Sequence, residues 1–128
     1  MTGPAVQSVV MSNDSTQPQP PLLILCRDLL FSSKITGAAQ AVGVPFKVVR
    51  DPAKLASEPG RRLIVDLNQD GAIDAAIAWR HDTSNEVVGF VAHVDTETIR
   101  RAREGGVDHV LARSQFVAQL AQLISLSP

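Results

Sequence analysis

The chain has 128 residues, enough for one domain, and its 45% hydrophobic and 20% charged content excludes a mostly disordered chain, a collagen-like repeat and a disulfide scaffold. The 12 basic and 13 acidic residues give a net charge of −1, so the basic excess that nucleic-acid binding needs is missing. No stretch approaches the ~20 apolar residues that span a bilayer, and a single cysteine without a secretory leader indicates the cytoplasm.

The first twenty residues are polar and rich in proline, which fixes φ and removes a backbone donor. Such a segment offers little apolar area to offset the entropy of ordering. We therefore predict a disordered tail over residues 1–20 and one domain over residues 21–128. Its only apolar run, Val9-Val10-Met11, could add an edge strand.

From Leu22 onwards, five short apolar runs of the kind that form buried strands follow one another along the chain. The predicted strands cover residues 22–26, 46–49, 63–65, 87–91 and 109–112.

Segments with helical spacing and capping residues separate these strands. The first helix ends at the C-cap Gly43, and its predicted inward residues are Phe31, Ile35, Ala38, Ala39 and Val42. The second helix starts at Asp51-Pro52 and runs to about Ala56, and the third carries Ile73, Ala76, Ile77 and Arg80 at helical spacing.

The fourth predicted helix is capped by Asp95, carries Ile99 and Ala102 and stops at Gly105-Gly106. The fifth is capped by Ser114, and its predicted inward residues are Val117, Leu120, Ala121 and Ile124. A polar loop is predicted from His81 to Asn85.

Apolar strands alternating with amphipathic helices indicate a parallel sheet covered on both faces. Right-handed crossovers leave few topologies for such a chain. The predicted fold is therefore a three-layer, flavodoxin-like (βα)5 domain of the α/β class, with strand order 2-1-3-4-5.

In such a sheet, ligands bind beyond the carboxyl ends of the strands. The residues predicted there are Cys26, Arg27, Asp28, Arg50, Asp51, Asp66, Leu67, Asn68, Val91, Ala92, His93, Arg113 and Ser114. The three histidines, His81, His93 and His109, have no zinc-type spacing. No hydrolase G-x-S-x-G motif and no glycine-rich phosphate loop is present.

The region from Leu22 to Ile124 resembles the receiver domains of two-component response regulators. The resemblance rests on the segment lengths, on the motif of residues 63–68 (LIVDLN) and on residues 102–108 (AREGGVD). The family implies an acidic pair that holds Mg²⁺ after the first strand and an aspartate acceptor after the third. It also implies a serine or threonine after the fourth strand and a lysine after the fifth, both of which contact the phosphoryl oxygens.

Matched residue by residue, the chain keeps one of these five side chains. Asp66 stands at the acceptor position, with Asn68 two residues on. The acidic pair falls on Cys26-Arg27, the hydroxyl position on Val91 and the lysine position on Arg113. The resemblance therefore implies a degenerate receiver, or pseudo-receiver, without bound metal or cofactor.

Asp28, one residue after the degenerate pair, adds a single carboxylate, and Asp66 with Asp28 gives too few oxygen ligands for Mg²⁺. A carboxylate at a strand end prefers a cation, and Arg27 or Arg113 can supply one. We expect an Arg27–Asp66 ion pair in the space that a metal would fill. Cys26 is interpreted as a small buried residue, with a redox thiolate beside Arg27 as the alternative.

Three arginines on the fourth predicted helix, with Arg113 nearby, form a modest basic cluster. They are Arg100, Arg101 and Arg103. The cluster could face a protein partner, because in the family the fourth helix, fifth strand and fifth helix form the usual partner face and homodimer face. The alternative is a solvated helix face with local pairs to Glu97 and Glu104.

The sequence therefore predicts a non-catalytic protein-interaction module in signalling or regulation, not an enzyme, that acts through an unidentified protein partner without nucleic acid or membrane. One alternative is a working, divergent receiver phosphorylated on Asp66. The other is a small-ligand sensor that uses the strand-end crevice.

Overall fold

The computed structural model describes residues 20–92 and 95–125, and within them five strands alternate with helices. The strands are β1 (Leu22–Leu25), β2 (Phe46–Val49), β3 (Arg62–Asp66), β4 (Glu86–Val91) and β5 (His109–Ala112). The helices are α1 (Leu29–Ala41), a 3₁₀ helix (Pro52–Ser57), α2 (Ala72–Thr83), α3 (Thr96–Glu104), α4 (Arg113–Ala118) and α5 (Leu120–Ser125). The predicted tail, with its possible edge strand, lies outside the described residues except for Pro20.

The five strands form one parallel sheet in the order β2-β1-β3-β4-β5. This order confirms the predicted flavodoxin-like topology. β1 lies between β2 and β3, and its residues from Leu22 to Leu25 are at most 1% exposed. Burial on both faces explains why β1 reads as a continuous apolar run rather than an alternating one.

Two apolar clusters cover the two faces of the sheet. The first contains Leu23 and Trp79 and lies under the 3₁₀ helix, α2 and α3. The second contains Ile24, Phe31 and Phe116 and lies under α1, α4 and α5. Each fully buried large side chain contributes about 1.5–3 kcal/mol of transfer free energy.

The single tryptophan connects α2 to the 3₁₀ helix. Trp79 is 1% exposed, and its indole N–H donates to the carbonyl oxygen of Glu58 at 3.0 Å. The 3₁₀ helix begins as expected: Pro52 takes the first helical position, and the Asp51 carboxylate accepts from the backbone N–H of Ala53 at 3.0 Å.

The predicted loop from His81 to Asn85 is wrong in its first part, because α2 continues through Thr83. Polar side chains on the outer face of an amphipathic helix resemble a loop in sequence. The helix ends at Ser84, whose φ of 60° lies in the left-handed region. α1 ends as expected beside Gly43, with φ 74°, although Val42 is 46% exposed rather than inward.

The last predicted helix is divided in two, and Ser114 does not cap it. α4 begins at Arg113, and the N–H of Gln119 bonds to the carbonyls of both Gln115 and Phe116 at 3.2 Å. This break changes the helical phase, so Val117 and Ala121 are exposed, contrary to the prediction. The buried side chains on these helices are Phe116, Leu120, Leu123 and Ile124.

Charged side chains connect the amino ends of three strands. Arg62, only 7% exposed, donates from Nε to Glu86 Oε1 at 2.8 Å and from Nη1 to the carbonyl of Leu123 at 2.8 Å. The other oxygen of Glu86 lies 2.9 Å from His109 Nε2. The hydrogen bond from Arg62 to Leu123 attaches α5 to β3, the central strand of the sheet. Across the described residues, every helix is too short or too polar to cross a membrane.

Candidate functional site

Two residues of the predicted acceptor region, Cys26 and Asp66, follow or end β1 and β3 on the α1 side of the sheet. Side chains alternate along a strand, so Cys26 continues the face of Ile24, and Asp66 continues the face of Ile64. β1 and β3 are parallel neighbours with Leu25 opposite Val65, so Cys26 and Asp66 are adjacent at the carboxyl end of the sheet.

Cys26 is a buried thiol. Its side chain is 0% exposed, and its Sγ donates to the carbonyl of Asp28 at 3.7 Å. Burial is the main cause that raises the pKa of the thiol, and the negative charges of Asp66 and Asp28 raise it further. The hydrogen bond with the backbone of Asp28 and, to a smaller extent, the charge of Arg113 lower it. The thiol therefore stays protonated near neutral pH, which favours the buried-residue interpretation over a reactive thiolate.

Asp28 caps the amino end of α1. Its Oδ1 accepts from the N–H of Phe31 at 3.1 Å, the usual contact of an N-cap aspartate. Its Oδ2 lies 3.8 Å from Nη2 of Arg113. One oxygen of Asp28 is thus hydrogen-bonded to the backbone, and the other lies near a cation.

Asp66 and Asn68 organise the loops that follow β3 and β4. Asp66 Oδ1 accepts from the backbone N–H of Asn68 at 3.0 Å, and Asn68 Oδ1 accepts from the N–H of Ala92 at 2.6 Å. Val91, at the hydroxyl position, is 2% exposed and belongs to the apolar cluster under α2 and α3. It offers no hydrogen-bond donor to this site.

The guanidinium of Arg113 lies over two aromatic rings beside this site. Its guanidinium carbon lies 4.1 Å from the ring centre of Phe31 and 5.7 Å from that of Phe90. Phe90 stacks on Phe116 with ring centres 4.9 Å apart. Sequence reasoning missed this aromatic support, although three of the four phenylalanines of the chain take part in it.

The expected Arg27–Asp66 ion pair is wrong: among the described residues no such pair forms within 4.0 Å. Arg27 follows Leu23 and Leu25 on the opposite face of the sheet from Asp66. There it borders a shallow depression of about 580 Å³ with Asp51 and Asp70. The topology placed the two strands correctly as neighbours, but the alternation of side chains separates the two residues.

The donors at this site fit a magnesium ion poorly. Magnesium prefers several oxygen ligands in octahedral order. Cys26 offers sulfur at one position of the acidic pair, and Arg27 offers a cation on the other face. Over the described ranges, no group of three or more His, Cys, Asp or Glu side chains is arranged to hold a metal.

The predicted arginine cluster is not a single surface. Arg100 pairs with Glu97 and with Glu104, as the solvated-helix interpretation expected, and Arg101 lies 3.4 Å from Asp74 of α2. These contacts lie on the α2 and α3 side of the sheet. Arg113 points to the α1 side, because its guanidinium rests on Phe31.

The remaining predicted positions are dispersed. Arg103 is exposed on α3, and Arg50 and Asp51 follow the edge strand β2. His81 lies in α2, and His109 contacts Glu86 at the amino end of the sheet. His93 lies outside the described residues, so its predicted position stays a prediction.

No family model and no curated protein matches the sequence. Solved structures do match. A CheY-like receiver domain protein from Methanospirillum hungatei JF-1 is 10% identical, with a TM-score of 0.69 over 84% of this chain and 94% of that one. The Francisella response regulator 1452 receiver domain is 18% identical, with a TM-score of 0.68 over 83% and 93% of the two chains.

A third match is the phosphorylated cyanobacterial phytochrome response regulator RcpA. It is 15% identical, with a TM-score of 0.67 over 84% of this chain and 89% of that one. Each of the three matches covers 83–84% of this chain, with TM-scores of 0.67–0.69. The chain has the fold of response-regulator receiver domains.

Proposed function

We propose that this protein is a pseudo-receiver: a non-catalytic protein-interaction module of signalling or regulation that accepts no phosphoryl group and needs no metal or cofactor. The observation that carries the proposal is the chemistry of Cys26 and Val91: a buried, protonated thiol stands at one position of the acidic pair, and an apolar side chain only 2% exposed stands at the hydroxyl position. The cation at the lysine position, Arg113, rests on Phe31 and lies 3.8 Å from Asp28.

The neighbouring side chains support the same conclusion. Phosphoryl transfer needs cations and donors around the transferred oxygens. The protonated Cys26 thiol contributes no negative charge for a metal, and Val91 contributes no hydroxyl group. A fixed strand-end site of this kind suits a module that binds its partner constitutively. The buried free thiol of Cys26 is compatible with the reducing cytoplasm proposed for it.

Intact mass spectrometry after incubation with acetyl phosphate and Mg²⁺ tests the proposal. We expect the mass of the protein to stay unchanged, because the ligands and donors of the transfer are missing. The opposite result is an adduct of about 80 Da, the mass of one phosphoryl group, that disappears in an Asp66→Asn variant. That result would establish the divergent phospho-accepting receiver instead.

A further inference from the structure

β2 forms one edge of the sheet within the described part of the chain. Its register places Phe46 opposite Leu22 and Val48 opposite Ile24, and Leu22 N–H donates to the carbonyl of Pro45 at 2.9 Å. In a parallel ladder with this register, the N–H and C=O groups of Phe46 and Val48 point away from β1. They therefore face outward, where another strand can pair with them.

A basic groove of about 360 Å³ runs beside this edge, between β2 and the 3₁₀ helix. Three cations, Lys47, Arg50 and Lys54, and two carboxylates, Asp51 and Glu58, border it, which leaves one net positive charge. Glu58 is paired with Lys47 Nζ at 2.8 Å, and Asp51 accepts from the backbone N–H of Ala53 at 3.0 Å. Arg50 and Lys54 are exposed, and neither forms an ion pair with another described residue.

The opposite face of β2 is apolar. Phe46 and Val48 are half-buried and pack with Ala38 and Val44 against the cluster under α1. The two sides of the edge thus differ: positive charge lies on the side of Lys47, and apolar surface lies on the side of Phe46.

We propose that the edge of β2 binds an extended segment of a partner protein as an added strand, and that apolar and acidic side chains alternate along this segment. Successive side chains of a strand point to opposite faces. The acidic side chains would then face Arg50 and Lys54, and the apolar ones would cover Phe46 and Val48. Strand addition at a sheet edge takes affinity from the backbone and specificity from such alternate side chains.

Charge complementarity is the reason for choosing an acidic partner. The whole chain carries a net charge of −1, so the excess of cations along β2 is local rather than general. Opposite potentials across an interface favour the correct partner and repel wrong ones. This inference rests on the proposed role as an interaction module and names the chemistry of its partner.

The test uses the full chain and two capped peptides of about six residues, the usual length of a strand. In one peptide valine alternates with glutamate, and in the other valine alternates with lysine. With the glutamate peptide, we expect the amides of Phe46 and Val48 to shift in NMR spectra and to exchange more slowly with solvent. The lysine peptide should leave both amides unchanged.

Two charge-reversal variants separate this edge from the rest of the surface. Arg50→Glu combined with Lys54→Glu should weaken binding of the glutamate peptide about tenfold or more, the ratio that corresponds to 1.4 kcal/mol. The matched control, Arg103→Glu on α3, should leave the affinity unchanged, because α3 packs near the opposite edge of the sheet. Both variants change exposed side chains, so each should fold.

Several results would overturn the inference: no binding of the glutamate peptide, equal binding of both peptides, or an affinity that the double variant does not alter. Slow exchange of the Phe46 and Val48 amides without peptide would also overturn it. NMR contacts to residues 1–19 would then assign the edge to the chain's own segment, and protection that grows with protein concentration would assign it to a second copy. The acetyl phosphate experiment measures phosphorylation through the mass of the intact protein, so its result does not depend on peptide binding at β2. The failure of one proposal can therefore be distinguished from the failure of the other.

Discussion

At the amino end of the sheet, Arg62 is 7% exposed and donates to Glu86 and to the carbonyl of Leu123, each at 2.8 Å. At the carboxyl end, Arg113 is held differently: its nearest carboxylate oxygen, on Asp28, lies 3.8 Å away, and the ring of Phe31 supports its guanidinium. One arginine is fixed by hydrogen bonds, and the other is held mainly by stacking.

This difference agrees with the different roles of the two ends of an open parallel sheet. Ligands bind beyond the carboxyl ends of the strands, so side chains there need to be accessible and adjustable. The amino end has no such demand, and a buried, hydrogen-bonded arginine can stabilise the fold there. We therefore expect the loss of the buried Arg62 side chain to destabilise the protein more than the loss of the Arg113 side chain.

The largest effect is expected for Arg62→Ala. Removing one partner of a buried ion pair leaves the other partner uncompensated and typically destabilises a protein by 3–5 kcal/mol; we expect about 3 kcal/mol here, because Glu86 is partly hydrated. Urea unfolding measures this as a lower midpoint at constant slope. The comparison fails if Arg62→Ala is no more destabilising than Arg113→Ala, for which we expect about 1 kcal/mol or less.

A smaller effect is expected for Phe31→Leu, which keeps an apolar side chain but removes the ring beneath Arg113. We expect a loss of about 1–2 kcal/mol from the lost ring contacts with Phe90 and Phe116 and from the lost cation–π contact. A double-mutant cycle with Arg113→Ala isolates the stacking energy, which should be about 0.5–1 kcal/mol. Additive single effects would show that the ring does not hold the guanidinium.

The smallest effect is expected for Asp108→Asn at the amino end. Hydrogen bonds from Arg80, at 2.8 and 2.9 Å, are the main cause that lowers the pKa of the Asp108 carboxyl. Because the folded pKa lies below the unfolded one, this carboxylate stabilises the protein above about pH 4 and loses that effect as the pH falls through the folded pKa.

The asparagine variant can still accept from the N–H of Val87, so the comparison isolates the charge of Asp108. Unfolding curves of both proteins, recorded from pH 6 down to acid, should differ slightly near pH 6 and converge at low pH. A difference that stays constant over this range would show that the charge of Asp108 does not contribute.

The sequence predicted the sheet well because buried parallel strands carry their signal locally. The apolar run from Leu22 onwards needs no knowledge of distant residues to be recognised. The candidate site was harder to predict, because its contacts join residues far apart in the chain. Nothing near Phe31 in the sequence indicates that the guanidinium of Arg113 lies on its ring.

Two errors have the same geometric origin, the phase of side chains along an element. Arg27 was assigned to the strand end correctly but to the wrong face, a mistake that strand alternation from Leu25 could have prevented. Val117 was placed inward because the helix was taken as continuous through Gln119. Arg62 was missed for another reason: a charged residue at the start of a strand reads as a boundary, and its partner Glu86 is recognisable only once β3 and β4 are neighbours.

The indole of Trp79 gives this molecule an optical reporter of its own. The ring is buried, and its N–H is bound to the backbone of Glu58, whose carboxylate borders the basic groove beside β2. No second tryptophan contributes to the emission of the chain. A change in the wavelength or intensity of that emission therefore reports directly on the contact between α2 and the 3₁₀ helix, without any attached dye.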